Sequence, residues 1–103
     1  MNHFTNINGY NGVRAFPVWH FRASKPPGDH PLGSYFTTLS AKTPNLAKRL
    51  GIPKSKLKYL FSFTNLGDLT PLPGARGRFI YYSGIDYNVS SERQTYCGKA
   101  ADS

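Results

Sequence analysis

The stretch Lys56-Leu57-Lys58-Tyr59-Leu60-Phe61-Ser62-Phe63-Thr64 decides how this chain is read. Leu57, Tyr59, Phe61 and Phe63 recur at every second position, with Lys58, Leu60 and Ser62 between them. A period of two is that of a strand, whose successive side chains point to opposite faces. Arg78-Phe79-Ile80-Tyr81-Tyr82-Ser83 reads as a second strand, and Gly33-Ser34-Tyr35-Phe36-Thr37-Thr38-Leu39 is equally rich in aromatic and β-branched residues. Val18-Trp19-His20-Phe21 is a short apolar run suited to a strand or a buried edge. One helix is expected, with Thr43 as N-cap, Pro44 in the first helical position, and Gly51 as the stop after Leu46, Ala47 and Leu50. Pro53 is placed to begin one more turn. Asn6-Ile7-Asn8-Gly9 and Asn11-Gly12 read as tight bends, Lys25-Pro26-Pro27-Gly28-Asp29 as an exposed loop, and Pro71-Leu72-Pro73-Gly74 as another. Gly84–Val89 is expected to continue extended, and the tail 99–103 to fray. The sum is a compact, strand-dominated α+β fold with one or two short helices, in a single domain spanning 1–103.

Composition narrows the chemistry. The chain has 103 residues, 13 Lys+Arg against 5 Asp+Glu, and a net charge of +8. That length supports one modest core and not two. An aromatic share of 15% argues for a folded chain. No apolar run approaches the roughly 18 residues of a membrane span, and Met1-Asn2-His3-Phe4-Thr5 lacks the basic start and apolar stretch of a secretory leader. Cys97 stands alone, which excludes an internal disulfide and a multi-cysteine zinc site within the chain. With Glu92, Asp29, Asp68, Asp86 and Asp102 as the only acids, paired-carboxylate or two-metal chemistry has few residues to draw on. A basic domain suggests an anionic partner.

Between Asp29 and Asp68 there is no acid, while Lys42, Lys48, Arg49, Lys54, Lys56 and Lys58 all fall there. Such a run steers anions or is simply a solvated face. His3, His20 and His30 are the acid–base candidates, at spacings that match no short metal-ligand motif, so no metal site is expected. Cys97, with Arg93 and Lys99 near it in sequence, reads as an inert thiol in the absence of a recognisable partner. Gly74-Ala75-Arg76-Gly77 lacks the Lys-Ser/Thr ending of a phosphate loop.

Several pieces taken in order resemble a known family. His3-Phe4-Thr5 and, some thirty residues on, Gly33-Ser34-Tyr35-Phe36-Thr37 resemble the first two elements of the ADP-ribosyltransferase toxin domains of bacterial polymorphic toxins that are named for a His-Tyr-Asp signature. Asn45–Pro53 and Gly77–Ser83 also look like this group, so the resemblance spans roughly 2 to 98. It implies an ADP-ribosyltransferase-like split sheet and an enzyme, a mono-ADP-ribosyltransferase or NAD glycohydrolase, with NAD as substrate and no metal. By that resemblance His3 bonds ribose hydroxyls, Thr5 supports the strand edge, and Tyr35 stacks on nicotinamide within a site that includes Gly33, Ser34 and Phe36. Arg14 or Arg22 would hold the pyrophosphate. A carboxylate would steady the oxocarbenium charge. The place where related enzymes carry an acid, before Phe79-Ile80-Tyr81-Tyr82, holds Arg78 here, so Asp86 is the first choice for the third catalytic residue, followed by Glu92 or Gln94. The implied setting is a secreted effector acting in the cytoplasm of a target cell, with a protein or RNA acceptor and an acidic immunity protein as partners.

Two other readings come from the residues directly. A metal-independent toxin ribonuclease would use His20 or His30 as base, with Arg22, Lys25 and Tyr35 beside it. A nucleic-acid-binding module would display aromatics on a sheet, but its defining aromatic strand motif is not found in the sequence. The first two readings differ in geometry. The transferase needs His3 and Tyr35 in one cleft, whereas the ribonuclease needs His20 or His30 beside Lys or Arg.

Overall fold

In a computed structural model, which describes residues 1–26 and 28–103, the alternating stretch lies deep in the main sheet. β4 (Tyr59–Phe63) pairs antiparallel with β1 (Asn2–Thr5) on one side and β8 (Gln94–Lys99) on the other. The remaining strands of this sheet are β3 (Ser34–Thr37), β5 (Thr70–Pro71) and β6 (Ile80–Ser83), in the order β5-β6-β3-β1-β4-β8. A second sheet, β2 (Trp19–Phe21) with β7 (Tyr87–Val89), lies apart from it in the pairing scheme. The architecture is therefore a small, strand-dominated α+β fold with split antiparallel sheets.

Both faces of the main sheet are covered, so the period of two does not separate a buried face from a wet one. Phe61 and Phe63 join Phe36, Trp19, Phe21, Tyr87 and Val89 in the larger core. Phe61 is fully buried, with the rings of Trp19 and Phe21 meeting it edge-on. On the opposite face Leu60 packs with Phe4, Leu46 and Ala100. The strand begins at Tyr59 rather than Lys56, because Lys54–Leu57 forms a 3-10 turn after Pro53. From that turn Leu57 packs with Leu60, not with the Phe61 face.

Among the described residues two α-helices are present, and the sequence locates each imperfectly. α1 (Ile7–Val13) occupies the stretch expected to be tight bends. The Asn6 side chain accepts the Gly9 N–H at 2.9 Å, an N-cap that satisfies an otherwise orphan donor. Val13 and Tyr10 then turn into the larger core. Gly9 is required by packing, since a Cβ there would lie 2.0 Å from Thr5 Oγ1.

α2 spans only Leu46–Leu50. Thr43 does not cap it: the Thr43 N–H closes a turn on the Ser40 carbonyl, and Asn45, left-handed at φ 58°, supplies the carbonyl that Arg49 N–H reaches at 2.9 Å. Gly51 does end the helix, at φ 68°.

Gly84–Val89 is not one extended run. The chain bends after Ser83, and only Tyr87–Val89 becomes a strand, in the other sheet. At the tail, Lys99 pairs with Tyr59, Ala100 is buried and 100–102 form a 3-10 turn, with 101–103 exposed. The loop expected at 25–29 includes Pro27, which lies outside the described residues; Lys25, Gly28 and Asp29 are exposed. No helix of the described residues is long and apolar enough to cross a membrane.

Candidate functional site

The site arises where the main sheet is incomplete. β1 and β3 are neighbours, yet their register holds only at Asn2 and Thr37, while β1 pairs fully with β4 and β3 with β6. Beyond that single pair the gap is bridged by a side chain, with His3 Nδ1 2.8 Å from the Tyr35 carbonyl. A cleft of about 550 Å³ opens there, within the usual range of small-molecule sites. His3, Thr5, Gly33, Ser34, Tyr35 and Phe36 all line it, so the two motif segments meet across one opening.

His3 is partly buried and packed against Phe21 and Phe36, with ring centroids 4.8 and 5.6 Å away. Burial pushes its pKa below the ordinary histidine value and the Lys56 charge adds to that, while the bond to the Tyr35 carbonyl opposes them. A carbonyl can only accept, so the neutral ring carries its proton on Nδ1 and leaves Nε2 as an acceptor. Tyr35 stacks on Tyr82, its cross-strand partner, at 5.7 Å and 19°. Its hydroxyl donates to the Pro31 carbonyl, and burial, with Tyr82 beside it, raises its pKa, so the ring is a neutral, fixed phenol.

Other lining residues are chiefly structural. The Ser34 hydroxyl donates to the Phe21 carbonyl at 3.0 Å and so ties the two sheets together. Phe36 is buried in the larger core between Phe21 and Phe63, which leaves little of its ring for a ligand. Gly33 is fixed by close approach, since a Cβ would stand 2.5 Å from the Ser83 carbonyl oxygen.

The cleft is cationic. Arg22 and Lys25 line one lip together with His30, and the Lys25 ammonium donates to the His30 carbonyl. Lys56 and Arg76 come from two other segments. The Arg76 guanidinium donates to the Leu50 carbonyl at 3.3 Å and lies over Gly51, where a Cβ would approach its Nη1 to 2.6 Å. Among the described residues no Asp or Glu lines the cleft.

The expected third catalytic residue is not in the lining. Asp86 accepts the Ala23 N–H at 2.8 Å and pairs with His20 Nε2 at 3.1 Å. The Ala23 bond, with His20 assisting, holds its carboxyl below the usual carboxylate range. Ala23 falls between Arg22 and Ser24, both lining residues, so Asp86 fixes the backbone of that lip from outside.

Glu92 is exposed on a 3-10 turn, and the Gln94 amide donates to the Pro17 and Val89 carbonyls; neither lines the cleft. Arg78 is also exposed and outside it. Arg14 does not line the cleft: its guanidinium lies 4.4 Å over the Tyr10 ring and donates to Asn11. Arg22, the other arginine considered, does line the cleft. His20 is held between Asp86 and Asn88, its Nδ1 2.6 Å from Asn88 Oδ1, and is not a lining residue. Lys56 and Arg76 meet at the cleft only through the fold, because nothing in the local sequence brings positions 56 and 76 together. The chain matches no protein-family profile, no curated protein and no solved structure.

Proposed function

We propose that the cleft between β1 and β3 binds NAD and breaks its nicotinamide–ribose bond, releasing ADP-ribose to water or to a macromolecular acceptor, as the resemblance to His-Tyr-Asp ADP-ribosyltransferase toxin domains implies. The observation that carries this reading is that His3 and Tyr35 both line one cationic cleft at the split in the sheet, the His3 ring from the Phe36 face and the Tyr35 ring from the other. His3 Nε2 accepts a hydrogen bond from a ribose hydroxyl. The Tyr35 ring, backed by Tyr82, offers a flat surface to the nicotinamide cation. Arg22 and Lys25 neutralise the pyrophosphate. In the reaction the bond from ribose C1 to the nicotinamide nitrogen breaks, its electron pair leaves with neutral nicotinamide, and water or an acceptor hydroxyl or amine closes on C1 and gives its proton to solvent.

No carboxylate among the lining residues steadies the oxocarbenium charge, so catalysis depends on holding the substrate. Asp86 acts by positioning the Arg22–Ser24 lip. In a cell the enzyme would serve as a toxin domain delivered to a target cytoplasm.

Incubation of the purified chain with NAD, followed by chromatography of released nicotinamide, tests this. Release by the wild type that falls at least about a hundredfold in Tyr35→Ala supports it; no release overturns it. A second reading, metal-independent RNA cleavage, is favoured by His30 lining the same cleft as Arg22, Lys25 and Tyr35. Cleavage of RNA in chelator, lost in His30→Ala and retained in His3→Ala, would select it instead.

A further inference from the structure

Lys42, Lys48, Arg49, Lys54, Lys56 and Lys58 are all exposed. They sit on and around α2 and the 3-10 turn that follows, and this is the segment that supplies Leu50, Gly51, Ile52 and Lys56 to the wall of the cleft. The cationic surface is therefore continuous with the site. Arg76, held on the Leu50 carbonyl, extends the positive charge into it.

What this surface lacks is equally informative. The large exposed apolar residues among those described are Ile7, Phe16, Val18, Leu32, Leu66 and Ile85, and none falls between 42 and 58. A protein partner is usually gripped by a central apolar or aromatic anchor surrounded by a polar rim. Here there is a rim of cations with no such anchor. A phosphodiester backbone needs only that: its affinity comes from phosphate neutralisation and counterion release.

We propose that this cationic rim is a docking surface for nucleic acid held by its phosphate backbone, a strand of which runs along 42–58 and presents one nucleotide to the cleft. The docking stands on the charge pattern alone. That the strand is then the acceptor of the ADP-ribosyl group rests on the function proposed above.

The test uses fluorescently labelled oligo-U and oligo-dU, titrated with the intact chain across a salt series, with oligoglutamate as a competing acidic polymer. The variant Lys48→Gln/Arg49→Gln/Lys54→Gln/Lys58→Gln changes four exposed cations outside the cleft lining. Each phosphate contact contributes a salt slope of about 0.7 on single strands, so the variant should lower the slope by about 3 and weaken binding about tenfold or more at 50 mM salt. Replacing the three lysines by arginine should preserve binding. Preference for oligo-U would identify RNA through its 2′-hydroxyl, and equal binding a backbone read alone; both support the docking.

Absence of binding, a slope unchanged in the variant, or displacement by oligoglutamate at equal charge concentration would overturn it. The two proposals fail separately. Absence of nicotinamide release by the wild type with oligonucleotide binding intact overturns the cleft reading alone, whereas binding that is absent, or unchanged in the glutamine variant, with nicotinamide release intact overturns the rim alone.

Discussion

Replacing Gly9 by alanine and, separately, Gly12 by alanine puts the same methyl group into the same helix with opposite expected effects. Alanine in place of glycine in a helix interior ordinarily stabilises by about 0.5–1 kcal/mol, because less chain entropy is lost on folding. At Gly12 nothing lies within 4 Å of the added Cβ, so that gain should appear in full. At Gly9 the new Cβ would stand 2.0 Å from Thr5 Oγ1 and 3.2 Å from Thr5 Cβ. Rotating the Thr5 hydroxyl away cannot relieve the second approach, and Thr5 is itself buried on β1. The helix must shift from the strand instead, an overpacking cost of about 1–3 kcal/mol that outweighs the propensity gain. A net loss of about 1–2 kcal/mol is expected, against a gain of about 0.5–1 at Gly12. Urea titration of the three proteins, with the m-value unchanged, reads both effects as opposite shifts in midpoint. Because Thr5 and Gly9 both line the cleft, Gly9→Ala should also impair nicotinamide release. Stabilisation by both substitutions would refute the view that Gly9 is a packing residue.

Further outcomes follow from the site and the core. Burial depresses the His3 pKa, so the ring folds neutral and must be charged in the unfolded chain below about pH 6.5; stability should fall as pH drops through the window below that value, and His3→Gln should flatten the fall when melting is followed from pH 7.5 to 5. Asp86→Asn should lower kcat/KM for NAD by less than about tenfold, below about 1.4 kcal/mol, because it loosens a lip rather than removing a group from the cleft; a loss as large as that of Tyr35→Ala would place its carboxylate at the reacting carbon. Phe61→Ala should cost about 3–5 kcal/mol by denaturation, since the ring is fully buried among Trp19, Phe21 and Tyr10.

The parts of the fold that rest on local alternation could be read directly. Tyr59–Phe63 and Ile80–Ser83 carry aromatic and β-branched residues through a pleat, and both are strands. What the sequence hid were features decided by distant contacts. α1 is composed of residues that favour turns, and it forms because Asn6 caps it and Tyr10 and Val13 are drawn into the core. The start of α2 moved because Thr43 closes a turn on Ser40 and Asn45 takes a left-handed conformation. In the site, His3 and Tyr35 could be singled out from their motif segments, and both line the cleft. Lys56 and Arg76 could not be, since they stand twenty positions apart with β4 and β5 between them. Asp86 fell to the same limit: its position just before β7 is legible, but its bonds to Ala23 and His20 depend on the second sheet.

Titration of the labelled protein with NAD, followed residue by residue through backbone amide chemical shifts, tests the central claim most directly. The account predicts saturable shifts concentrated at His3–Thr5, Ser34–Phe36, Arg22 and Arg76, attenuated in Tyr35→Ala. Shifts absent at millimolar NAD, or gathered around His20, Asp86 and Asn88 instead of the cleft, would contradict it.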